Sequence, residues 1–107
     1  MEKYELGKMI GGWFIGDFEP SVRQVVGFEV GYKKHPKGEE WPEHYHRQAT
    51  EVNLLVRGSM MVNGELISEG EIFVLNPGET VKPAFLEDCE LVVVKFPSVK
   101  GDKYEVI

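Results

Sequence analysis

Apolar residues along this chain fall in short runs separated by turn residues, without the three-to-four spacing of an amphipathic helix. The runs are VVGFEVGYKK, EVNLLVRG, SMMVNG, EIFVLN and ELVVVKF, rich in Val, Ile, Phe and Tyr. Segments of this length and composition, recurring at regular intervals, predict an all-β sandwich or barrel. Asn63-Gly64, between Met61-Val62 and Leu66-Ile67, is the strongest hairpin signal, because both residues tolerate the positive φ of a type I′ turn. Further turns are expected at Glu69-Gly70, at Asn76-Pro77-Gly78 and near Glu87-Asp88.

Strand alternation sorts the residues by face. Around Glu51, residues Asn53, Leu55 and Arg57 share one side, and Val52, Leu54 and Val56 share the other. If Glu51 points inward, Asn53 is placed to meet a ligand or to bond neighbouring backbone. The apolar outer side then needs cover, and a homodimer is the expectation. In the preceding strand Phe28, Val30 and Tyr32 form one face, with Tyr32 either a polar-tipped pocket residue or plain core.

Chemistry concentrates in GEEWPEHYHRQATEVNLLVRG. His44 and His46 are separated by one residue, so on a strand both imidazoles point the same way and can reach one ion, with Glu51 as a third donor. Two histidines and one carboxylate suit a first-row divalent metal with open positions. The loop before them, KKHPKGEEWPEH, is broken by Pro36, Gly38 and Pro42. Within it Trp41 either caps a pocket mouth and stacks on a ligand or pins the loop, and His35 is expected at the surface.

The register Gly38, His44, His46, Glu51, Gly58 resembles the first motif of the cupin superfamily, G(X)5HXH(X)3,4E(X)6G. The resemblance implies a cupin double-stranded β-helix, a jelly-roll-like barrel. That barrel would occupy about residues 25–96 of a single domain, 1–107, with an N-terminal strand extension and a C-terminal tail. The second cupin motif opens at Gly70, and aligning Pro77-Gly78 with its Pro-Gly turn puts Val81 where a histidine normally stands. The ligand set is thus reduced to His44, His46 and Glu51. What the resemblance implies is either a site for a divalent transition metal (iron, nickel, manganese or zinc) or a site that holds none.

Three functions follow from the resemblance. The first is a small metal-binding cupin that binds or transforms a small polar organic molecule such as a sugar or carboxylate, with Tyr32, Trp41, Asn53 and Lys82 as candidate contacts. The second is a metal-free ligand-binding or dimeric accessory protein. The third is an isomerase or epimerase in which Lys82 or Tyr32 moves protons.

Composition narrows the partners. With 107 residues, a net charge of -6 and scattered basic residues, neither nucleic acid nor an anionic membrane surface is expected, and a small-molecule ligand is. The N-terminal MIGGWFIG is too short and glycine-rich for a signal peptide, so cytoplasmic residence is expected. Cys89, the one cysteine, precedes LVVV and reads as a buried inert thiol. No GxSxG, phosphate-cradling glycine loop or CxxC is present, which leaves nucleophilic hydrolysis, P-loop nucleotide binding and thiol redox chemistry without support.

Overall fold

A computed structural model describes all 107 residues. A 3-10 turn, Leu6–Lys8, precedes ten strands: β1 Trp13–Ile15, β2 Glu29–His35, β3 His44–Tyr45, β4 Thr50–Arg57, β5 Ser59–Val62, β6 Glu65–Ser68, β7 Ile72–Leu75, β8 Pro83–Phe85, β9 Cys89–Phe96 and β10 Tyr104–Glu105. All pairings between strands are antiparallel. They form a five-stranded sheet ordered β1-β2-β9-β4-β7, a three-stranded sheet ordered β6-β5-β8, and the two-stranded ribbon β10-β3. No helix is long and apolar enough to cross a membrane.

The expected β-rich runs are strands, and Asn63-Gly64 closes the β5–β6 hairpin with Val62 opposite Glu65. The core lies between the two larger sheets: Leu55, Leu75, Leu91 and Val93 from one meet Met60, Val62, Ile67 and Phe85 from the other. Burying side chains on one face of each sheet supplies the main driving force, about 1.5–3 kcal/mol for each large aliphatic residue. Gly58 ends β4 at φ +96, and a Cβ there would lie 2.4 Å from the Asp88 carbonyl oxygen, so the last glycine of the first motif is required by space as well as by conformation. Cys89 is 1% exposed, and burial pushes its thiol up, as suits an inert core residue.

Alternation along β4 holds for Glu51, Asn53 and Leu55, which face inward. It breaks at an irregularity between Leu55 and Arg57, so Arg57 is exposed and pairs with Glu90 at 3.7 Å. On the outer face, cross-strand rows bring Val30, Val94, Val52 and Val74 together, and Tyr32, Val92, Leu54 and Ile72 beside them. Ile72 and Val74 are exposed.

The tail is the part of the fold that the sequence least describes. After Phe96 the chain turns back, and β10 pairs with β3, setting Tyr104 against Tyr45 and Glu105 against His44. Asp102 makes this possible. Its buried carboxylate accepts hydrogen bonds from the backbone N–H groups of Arg47 (2.9 Å), Gln48 (3.1 Å) and Ala49 (2.9 Å), the turn that follows the histidine pair. Tyr104 stacks on Tyr45 with ring centroids 5.5 Å apart, and the Arg47 guanidinium lies 4.1 Å from the Tyr104 ring centre.

Candidate functional site

The inward faces of β2, β9 and β4 meet β3, the Trp41 loop and the tail around a cavity of about 180 Å3. Across the five-stranded sheet, Glu29, Lys95 and Glu51 stand in one cross-strand row. The next inward row sets Gly31 beside Val93, Asn53 and Phe73. Gly31 has no side chain to place there, and Trp13 of β1 fills the space: a Cβ on Gly31 would lie 2.7 Å from the indole. His44 and His46 enter from β3 and its following turn.

The two histidines are buried, and burial holds both below the ordinary imidazole value. The charges of Lys103 and Lys95 push His44 the same way, and that of Lys95 pushes His46, while Glu51 opposes. Both imidazoles are therefore neutral at neutral pH. Nδ1–H of His44 donates to the Pro42 carbonyl at 3.1 Å, which leaves Nε2 as the acceptor. His46 Nε2 is 3.7 Å from Glu51 Oε2, too far for a hydrogen bond.

Three lysines complete the lining. Lys95 Nζ pairs with Glu29 at 2.9 Å, and the other Glu29 oxygen accepts the Ser98 hydroxyl at 2.7 Å. Lys33 donates to the Gly11 carbonyl and lies 5.2 Å from the Trp13 ring centre. Lys103, carried by the tail, reaches over Trp41 at 3.9 Å. Burial, then the charges of Lys95 and Lys103, hold Lys33 below the ordinary lysine value; partial burial and Lys95 do the same to Lys103.

Of the residues the sequence singles out, His44, His46, Glu51, Trp41 and Asn53 come together on this cavity. Trp41 stands at its wall, with its indole N–H on Glu39 at 2.7 Å. Tyr32 does not join them: it faces the outer side of β2, where its hydroxyl donates to Glu90 at 3.3 Å. Lys82 is exposed outside the cavity, with its backbone N–H on the Asn63 side-chain oxygen, because alternation from inward-facing Val81 turns it away. His35 is corrected in the opposite direction. Instead of lying on the surface it lines the cavity, stacked on Phe85 at 4.4 Å and bonded to Glu39.

Metal ligation is where residues and chemistry part. Val81 is buried directly opposite His44, exchanging both backbone hydrogen bonds with it (3.1 and 2.7 Å), so an aliphatic side chain occupies the position of a fourth donor. No three His, Cys, Asp or Glu side chains converge as a metal-holding group, and three ammonium groups share the lining with a single carboxylate, Glu51. These residues fit a resident divalent cation poorly.

Neither a family profile nor any curated protein matches the sequence. Solved structures do match in shape. A protein with a double-stranded β-helix domain from Klebsiella pneumoniae superposes with a TM-score of 0.69 at 19% identity, over 77% of this chain and 72% of that one. A cupin-2 domain protein from Shewanella frigidimarina gives 0.55 at 21% identity, over 67% and 72%. This chain has the cupin fold. Pac13, a nucleoside dehydratase, shares that fold with a TM-score of 0.71 at 14% identity, over 99% of this chain and 91% of its own.

Proposed function

We propose that this cupin handles a small polar organic molecule, a sugar or carboxylate, inside its barrel and without a resident metal. Asn53 carries the reading. The residue is 4% exposed, lines the cavity, and its amide nitrogen has no hydrogen-bond partner. An orphaned buried donor costs about 1–3 kcal/mol, and an oxygen of a bound molecule offsets that cost. Around it, neutral His44 offers Nε2 as an acceptor, neutral His46 offers a donor and an acceptor, and Glu51 offers a further acceptor. Such a set orients hydroxyl or carbonyl groups and can move a proton between them. The nucleoside dehydratase of nearly matching length supports a small-molecule role for a cupin of this size, while the reaction must be argued from the site.

The test is thermal unfolding with and without candidate sugars and carboxylates. Wild type should melt higher with at least one of them. Asn53→Leu, which replaces an unpaired amide by an apolar group of similar shape, should be about 1 kcal/mol more stable alone and should lose the ligand response. Equal ligand shifts in both proteins would remove Asn53 from the site.

Elemental analysis checks the metal separately. After dialysis against iron, nickel, manganese and zinc salts, metal well below one ion per chain is expected. Stoichiometric metal that disappears in His44→Ala/His46→Ala would instead restore the metal-binding reading.

A further inference from the structure

We propose that the cavity takes its ligand by an oxyanionic group, a carboxylate or phosphate, held between Lys33, Lys103 and the Asn53 amide with Lys95 behind them. This rests on the reading of the cavity as a small-molecule site and names the class of molecule. Ammonium groups from three separate parts of the chain, β2, β9 and the tail, line one cavity in a protein whose net charge is -6. In an acidic chain, such a concentration of positive charge is a local feature that draws anions to one place.

The three lysines differ in what already neutralises them. Lys95 is engaged, paired with Glu29 and standing in the row between Glu29 and Glu51. Lys33 and Lys103 form no ion pair. Each is instead set against an aromatic face, Trp13 for Lys33 and Trp41 for Lys103, which positions the ammonium without consuming its charge. Glu51 attracts both lysines and Glu39 attracts Lys33, but neither carboxylate forms an ion pair with them, and three ammonium groups outnumber the one carboxylate of the lining. The Asn53 nitrogen adds an unpaired N–H donor to the same wall, and a donor of this kind is satisfied by an oxygen and not by a cation.

Size limits the rest of the molecule. A cavity of about 180 Å3 is close to the space that holds a single six-membered ring, which points to one ring or a short-chain acid.

The experiment measures binding of matched probes by calorimetry and ligand-observed NMR: glucose, glucuronate and glucose 6-phosphate; benzamide, benzoate and phenyl phosphate. Anionic members should bind about tenfold or more tighter than their neutral counterparts, and weaken as salt is raised. The carboxylate and phosphate arms identify which oxyanion is preferred. Lys103→Met and Lys33→Met should each lower affinity for the anion about tenfold, with cooperative unfolding retained because neither lysine holds a buried carboxylate. Neutral probes that bind as tightly as anions, with binding lost in Asn53→Leu, would overturn the anion inference and leave the cavity reading standing. Anion binding unchanged in both lysine variants would also overturn it. No binding by any probe would overturn both.

Discussion

Asp102→Ala should melt about 15 °C below wild type and release the tail, although Asp102 touches neither the cavity nor the five-stranded sheet. Its carboxylate is 6% exposed and takes the backbone N–H groups of Arg47, Gln48 and Ala49. Alanine leaves three N–H groups without their acceptor. Hydrogen bonds to a charged group contribute about 1.5–3 kcal/mol each, and water recovers part of the loss, so a net cost of about 3 kcal/mol is expected. For a domain of this size that corresponds to a melting shift of about 15 °C. Lys103 is the next residue and would leave Trp41, so anion affinity should fall along with stability. Asp102→Asn keeps one acceptor oxygen and should fall between alanine and wild type.

The same carboxylate gives the fold a pH dependence with a definite sign. Burial alone would raise Asp102, but the N–H donors of Ala49, Arg47 and Gln48 outweigh it and hold the carboxyl below its ordinary value of 3.8. A folded-state value below the unfolded one means that the contribution is complete above the unfolded value and is lost as pH falls through the folded one. Wild type should therefore lose this increment below about pH 4, whereas Asp102→Ala, measured over the same range, should lack it. A variant with wild-type melting at pH 7 would show that the tail is held by β10 and its aromatic contacts alone.

Lys95→Met should cost about 3 kcal/mol, by a different mechanism. Glu29 is 8% exposed, and Lys95 is its only charged partner, with the Ser98 hydroxyl as the remaining donor. Removing the ammonium strands a buried carboxylate in the first of the two inward rows. The loss should be mostly reversed by Lys95→Met/Glu29→Gln, because what destabilises the single variant is the unpaired charge and not the missing contact. Chemical denaturation of the two variants reads this directly. A double variant no more stable than the single one would mean that Lys95 acts through packing against Trp13, 4.8 Å from its ring centre.

Much of the fold was legible because it depends on local rules. The β5–β6 hairpin follows from Asn63-Gly64, since register between neighbouring strands is transmitted by short turns, while Val81 was placed at the vacant histidine position only through the resemblance of Pro77-Gly78 to the second cupin motif, and its pairing with His44 is long-range. Glu51, Asn53 and Leu55 are inward by the local alternation of the strand. One of the cavity's lysines, Lys33, was hidden by that alternation. The apolar members of β2, Val30 and Tyr32, face out, while the polar-looking Glu29, Gly31 and Lys33 face in. A glycine on an inward face makes sense only once Trp13 is known to fill its place from another strand. Asp102 and Lys103 escaped because their position is fixed by backbone donors more than fifty residues away, which leave no periodic trace near FPSVKGDKYEVI. For His35, the decisive contact is stacking on Phe85, again a long-range partner.

Whether the Asn53 amide faces a bound organic molecule is read from its side-chain NH2 signal in a nitrogen-15 NMR spectrum. The signal is assigned by its disappearance in Asn53→Leu, and the probes are added to wild type one at a time. A saturable shift of that signal, with the same midpoint as the calorimetric titration, is the predicted result. Binding that saturates by calorimetry while the Asn53 signal stays still would place the ligand elsewhere and contradict the claim.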